Sequence, residues 1–292
     1  MSYKRKIIPL LYYPYRVVNI LRSIFSNKTS TRVRVLLFHD IPHTEKDSFR
    51  EKIFYLSKKW KFITAETFGK YLKGETDLSG NNLLLSFDDG FFSNRIVAEE
   101  ILNPLGIKAI FFVVTNFVNL TTHEEQRKFI KERLYPEWRK HPLPKNFNEM
   151  TSLSCADLKY LYETGHTIGS HTASHPDLSK IASEEELLKE VVESAKDLEK
   201  KLNIKIEHFS YSFGNISFFS KKALQIAKSH FSFIHTGMRG DNSKSMNSWA
   251  IRRDTIDMED SLQLMASFLE GVADFRYLSA LEKYESWGGD SK

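Results

Sequence analysis

The chain has 292 residues, 41% of them hydrophobic and 27% charged, which excludes disorder, collagen and coiled coil and leaves ample material for a core. A single cysteine, Cys155, excludes a disulfide framework and a cysteine-rich zinc module, so any metal must be held by His, Asp or Glu. The net charge of +5 is concentrated at the start: residues 1–39 carry eight Lys or Arg and no Asp or Glu, leaving 34 basic against 37 acidic residues in 40–292. Nucleic acid is therefore not expected as a partner, because it needs a basic stripe across the folded body.

Residues 1–30 form a basic, aromatic-rich segment. A spanning helix wants about 20 predominantly apolar residues, and Pro9, Pro14, Arg16, Asn19 and Arg22 interrupt this run. A cleavable signal wants an unbroken apolar stretch and a small-residue site, and neither is clear. Two expectations remain: an amphipathic helix lying on an anionic membrane surface, or an ordinary helix docked on the domain. The first places the protein in the cytoplasm, peripheral on the inner face of the membrane. One cysteine agrees with a reducing compartment.

From residue 33, short β-rich runs alternate with helical stretches. The runs are Val33–Phe38, Leu83–Phe87, Ala109–Val114, Thr167–Gly169, His208–Tyr211, Phe231–Ile234 and Trp249–Ile251. Helices are expected at Arg95–Leu102, Asp157–Tyr162, Glu184–Leu202, Lys221–Lys228 and Asp260–Glu270. In the third, Leu187, Leu188, Val191, Ala195 and Leu198 fall at helical spacing behind a Ser183/Glu186 capping pair. Residues 119–150 break the rhythm with charges and three prolines, reading as an insertion with at most one helix, near Glu124–Leu134. The expected architecture is α/β: one distorted (β/α) barrel of about seven parallel strands over 31–292.

Two stretches carry chemistry. Leu83–Phe87 should be a buried strand, and the adjacent Asp88 and Asp89 at its end are costly there unless something uses them. Neighbours on a strand point to opposite faces, so both acids reach one site only if the backbone turns, which Gly90 permits. Strand C-termini are also where α/β barrels place active sites. The second stretch, Gly169–Pro176, holds His171 and His175, able to converge on one metal if the chain turns between them. A second pair, His39 and His43, has the same spacing, but Pro42 disfavours a regular turn there. One Asp plus two His gives a three-ligand centre with open positions for water and substrate. The other carboxylate is left as a base, an arrangement that serves hydrolysis.

Here the sequence resembles a known family. Ser86–Gly90 is similar to the T/S-F-D-D-G motif of the polysaccharide deacetylases, the NodB-like carbohydrate esterase family four. Gly165 through His171, continuing to His175-Pro176, is similar to its G-H-x-I-G-S/N-H-S/T-x-x-H-P segment. The LLFHDI run ending at Ile41 resembles the first strand of the branch that deacetylates exported glucosamine polymers. Phe209–Gly214 resembles F-x-Y-P-F-G, and Ile251–Asp254 the final Arg strand. The likeness runs from about residue 33 to 270.

The resemblance implies Asp88 as general base and Asp89, His171 and His175 as ligands of one divalent metal. Zinc is the first expectation; nickel, cobalt, iron and manganese are alternatives. It places the oxyanion and substrate contacts at Phe213 and Tyr211, and pairs Arg253, or failing it Arg252, with Asp88. His39 becomes the general acid, because no Leu-x-His motif lies near the end of the chain. The activity implied is removal of an N-acetyl group from an N-acetylated sugar, polymeric or lipid-linked, in cell-surface glycan assembly. Deformylation, O-deacetylation and a sugar-binding protein with a disabled site are the alternatives. Two departures matter: Ser210 stands where the family often has Arg or Ala, and Ser212 where Pro is usual, which should loosen the oxyanion turn.

Overall fold

The apolar runs lie side by side in one parallel sheet. β1 (Arg32–Phe38), β3 (Asn81–Phe87), β4 (Ala109–Val113), β5 (Thr167–Ser170), β6 (His208–Ser210), β7 (Phe233–His235) and β8 (Asp254–Thr255) pair in the order β7-β6-β5-β4-β3-β1-β8. A two-residue β2 (Lys61–Phe62) also pairs with β3. The computed structural model describes residues 8–25, 31–244 and 246–289. A parallel bridge joins His235 to Ile251, just before β8, so both ends of the strand path meet on one stretch of chain. The result is the expected distorted (β/α) barrel.

Alternation along the strands divides the core. Val33, Val35, Leu84, Ile110, Phe112 and Ile251 share one face and pack against the helix Ala65–Leu72. Leu36, Phe38, Leu83, Leu85, Phe87 and Phe111 share the other, beneath the surrounding helices. The last strand differs from the sequence expectation. Only Ile251 of Trp249–Ile251 bridges a neighbour, and the paired residues are Asp254 and Thr255. The intervening backbone is satisfied elsewhere: Asn242 accepts from the Arg252 N–H (2.9 Å), and Met238 O from that of Arg253 (3.0 Å).

The long helical stretch 184–202 is present, its middle widened by a π turn at Lys189–Glu193. Cys155–Glu163 begins with a full capping box between Ser154 and Asp157.

The 119–150 insertion builds a core of its own. Its helix His123–Phe129 continues through a π turn to Leu134, and Ile130, Leu134, Phe147 and Met150 pack on Phe91, Val114 and Phe117. It returns beside the strand end it started near: Phe92 N–H donates to Thr151 O and Leu153 N–H to Gly90 O, both at 2.8 Å.

Part of the N-terminal segment, residues 1–7 and 26–30, lies outside the described residues. Of the rest, Ile8–Leu11 is a 3₁₀ turn and Tyr12–Phe25 a helix. Tyr12 is buried against the domain, and the Gln263 side chain donates to Pro9 O (3.2 Å). Leu10, Leu11, Tyr13, Val17 and Val18 are exposed. No helix among the described residues is long and apolar enough to cross a membrane.

Candidate active site

β3 delivers Asp88 and Asp89 to the C-terminal mouth of the barrel. The turn anticipated at Gly90 (φ +90°) begins one residue earlier, because Asp89 itself is left-handed (φ +74°), a conformation that Asp tolerates better than most residues. A side chain at Gly90 would also crowd Val113 and Val118, at 3.2 and 3.3 Å. Both carboxylates consequently face one cavity of about 350 Å³, shared with His39, His171, His175, Phe213 and Arg253.

β5 ends at Ser170, and the next residues coil tightly. Thr172 (φ +68°) and His175 (φ +57°) are both left-handed, and Thr172 Oγ1 accepts from the His175 N–H (3.0 Å). Glu190 clamps the same loop, accepting from the Ser174 N–H (2.9 Å) and hydroxyl (2.6 Å). The coil turns both imidazoles inward. His171 Nε2 and His175 Nε2 each lie 3.6 Å from Asp89 Oδ1. Both rings are locked from behind: His171 Nδ1 donates to Ser210 O (2.8 Å) and His175 Nδ1 to Arg133 O (3.1 Å), leaving Nε2 as the free lone pair.

These three residues suit a cation. Their ligand atoms lie within 4.8 Å of one another, all on buried side chains. Asp89 Oδ1 has no hydrogen-bond partner. Burial, then the adjacent Asp88 charge, pushes Asp89 well above the ordinary carboxylate range. Burial also pushes His171 down, and His175 down to about 3, so both imidazoles are neutral, as ligands must be. A buried carboxylate in search of positive charge between two neutral imidazoles matches the donor chemistry of a divalent ion. His43 does not join this group.

Asp88 has a different partner. Arg253, fully buried, holds it with two parallel bonds, Nη1 to Oδ1 at 2.7 Å and Nη2 to Oδ2 at 2.8 Å. Burial raises the Asp88 pKa, but the Arg253 charge and its hydrogen bonds outweigh it and the net shift is downward. Arg252 points elsewhere, to Glu285 (3.3 Å). Ser210, the residue that departs from the family pattern, is built into this pair: its hydroxyl accepts from Arg253 Nη2 (2.5 Å) and donates to Asp88 Oδ2 (3.4 Å). Ser212 shares a hydrogen bond with Thr172 (3.3 Å).

His39 sits just past β1 and lines both this cavity and an adjoining groove of about 670 Å³ with Trp138, Asn146 and Asp257. Burial lowers its pKa, against the pull of Asp88. Its backbone is fixed by Asn94, whose side chain donates to His39 O (2.9 Å).

Phe213 is left-handed (φ +60°) and leans its ring on His175, 4.5 Å between centroids. Gly214 beside it passes so close to Gly237 that an added Cβ would lie 2.8 Å from that backbone.

Tyr211 corrects the sequence reading. It is fully buried away from the cavity, stacked on Phe219 at 4.0 Å, with its hydroxyl against that of Tyr284 (3.2 Å). Ser210 and Ser212 turn towards the site, so strand alternation sends the residue between them into the core. Tyr135, which sequence reasoning missed, lines the cavity from the insertion.

Fold and site together define a barrel with an Asp–His–His centre and a separate Asp–Arg pair at its mouth. The chain belongs to the polysaccharide deacetylase family, whose profile matches residues 75–231. Membership supports a hydrolytic deacetylase acting on a saccharide. The fold is similar to that of IcaB from Ammonifex degensii, at 20% identity and a TM-score of 0.65, covering 83% of this chain and 98% of that one. It is similar also to the deacetylase PplD of Streptococcus pyogenes in complex with acetate (19%, TM-score 0.62, 82% and 98% covered). A de-N-acetylase from Aggregatibacter actinomycetemcomitans aligns likewise (18%, TM-score 0.64, 81% and 99%). No curated protein matches the sequence.

Proposed function

We propose that this protein is a metal-dependent de-N-acetylase acting on an N-acetylated sugar during cell-surface glycan assembly. The observation that carries this reading is the partnerless Asp89 Oδ1, 3.6 Å from the Nε2 atoms of two imidazoles, beside a separate, Arg-held Asp88. Asp89, His171 and His175 would hold the ion, zinc being the first choice for two imidazoles and a carboxylate. A bound divalent ion supplies Lewis-acid polarisation and a lowered pKa for water.

The remaining work falls to the chain. Asp88 takes a proton from the attacking water, and Arg253 keeps it ionised to do so. The Phe213 N–H donates to the oxygen that gains charge as the amide carbon becomes tetrahedral. His39 gives a proton to the departing amine, and the products are the acid and the free amino sugar. Incubation with free and lipid-linked N-acetylated sugars, read by mass spectrometry, is the test. Loss of one acetyl with a free amine gained supports the reading; loss of formyl, loss of an O-acetyl, or no reaction from the zinc-loaded protein overturns it.

His39→Ala is expected to slow amide hydrolysis by about 10²–10⁴-fold. An activated ester of the same acyl group, whose leaving group needs no proton, should be slowed far less. Steady-state rates on the two substrates check this, and equal losses would remove His39 from the acid role.

The N-terminal segment, on this reading, touches an anionic membrane surface from the cytoplasmic side. Tyr12 fixes one side of its helix to the domain while Leu10, Leu11, Tyr13, Val17 and Val18 stay exposed among basic residues. Each basic residue near such a surface contributes roughly 1 kcal/mol, screened by salt. A chain beginning at Thr31 should keep its fold and metal but lose salt-sensitive binding to anionic vesicles in a sedimentation assay. If the full-length chain ignores such vesicles at low salt, the segment is a docked helix only.

A further inference from the structure

We infer that the 119–150 insertion is the outer support of the metal centre, with Arg133 and Tyr135 holding two of its three ligands, so that metal binding and the conformation of the insertion are coupled. This rests on the metal reading proposed above. Two independent observations lead there. The Arg133 carbonyl accepts from His175 Nδ1 (3.1 Å), setting which nitrogen faces the ion. Tyr135 lines the same cavity as Asp89, with its hydroxyl placed to hold the Asp89 carboxyl down against the rise that burial gives it. The third ligand, His171, is held instead by Ser210 of the barrel (2.8 Å).

The insertion is braced for this task. The Tyr135 ring stacks on Trp138 (4.2 Å between centroids, 16° between planes) and on Phe91 (6.3 Å, 22°). Phe91 lies two residues beyond Asp89 and belongs to the same small core as Ile130 and Leu134. The return of the insertion hydrogen-bonds to Gly90 and Phe92. The segment that carries the two supporting groups is thus packed onto the turn that carries a ligand. An ion that binds better when Arg133 and Tyr135 are in place must in return stabilise the segment that places them, because such coupling is reciprocal.

Tyr135→Phe keeps the stacked ring and removes only the hydroxyl, so the fold has little reason to change. Outer partners of metal ligands typically carry 10–100-fold in affinity. In chelator competition on the full chain, Tyr135→Phe is expected to bind zinc about 10–100-fold more weakly than wild type, with the melting temperature of the zinc-free protein unchanged. Zinc should also slow proteolytic cleavage within 119–150 of the wild-type chain, a readout independent of any variant. A Tyr135→Phe affinity within twofold of wild type, or cleavage indifferent to zinc, overturns the coupling alone. A wild-type chain that binds no zinc overturns the metal reading and the coupling together.

Discussion

Asp88→Asn is expected to leave zinc affinity near wild type while turnover falls by about 10²–10⁴-fold, the usual weight of a general base. Asp88 is outside the trio whose ligand atoms converge, and its two oxygens are spent on Arg253. Asparagine keeps one acceptor for that guanidinium but cannot take a proton. Asp89→Asn should do the reverse of this in the first instance. It removes the anionic oxygen that lies 3.6 Å from both His171 and His175 Nε2, so the metal is lost and activity follows it. Metal content after dialysis and single-turnover rates on an acetylated oligosaccharide separate the two. If Asp88→Asn lost the ion and Asp89→Asn kept it, the roles of the pair would be exchanged.

The parts of the site legible in the sequence are those fixed by short-range chemistry. Two carboxylates ending an apolar run, with glycine next, announce a turn that must serve something, and His171 and His175 share one tight loop. The choice between Arg252 and Arg253 was open because adjacent residues take opposite faces, and the last strand, Asp254–Thr255, begins three residues after its apolar run ends. Seeing that Arg253 and Asp254 are buried as fully as the apolar Ala250 and Ile251 would have required knowing their partners Asp88 and Arg34. Tyr211 was recoverable: with Ser210 and Ser212 turned to the site, period-two alternation already excludes it. Tyr135 and Arg133 were not. Tyr135 lies beyond Leu134, where the insertion has no strand or helix periodicity, and Arg133 acts through its backbone carbonyl, so both roles arise only when the chain packs back on Phe91.

Arg253→Met should be among the most destabilising single changes in this protein, costing about 3–5 kcal/mol at neutral pH, because it strands a buried charge rather than merely deleting an interaction. Arg253 is fully buried and engages Asp88, Ser210 and Thr236 O (2.9 Å). Its charge is what turns the upward pull of burial on Asp88 into a net downward shift. The sign of the pH dependence follows. In the wild type, Asp88 has a folded pKa below its unfolded value, so its contribution is present above the unfolded pKa, near 4, and is lost as pH falls through the folded one. In Arg253→Met the burial effect stands unopposed and the folded pKa lies above the unfolded value. Stability is then full below about pH 4 and falls as pH rises through the folded pKa. The gap between variant and wild type should therefore be widest near pH 7 and narrow towards pH 4. Adding Asp88→Asn removes the stranded charge and should recover part of the loss at pH 7. Urea unfolding of metal-free wild type, single variants and double variant at both pH values measures this; a gap that widened on acidification would mean that Arg253 serves packing and not the charge of Asp88.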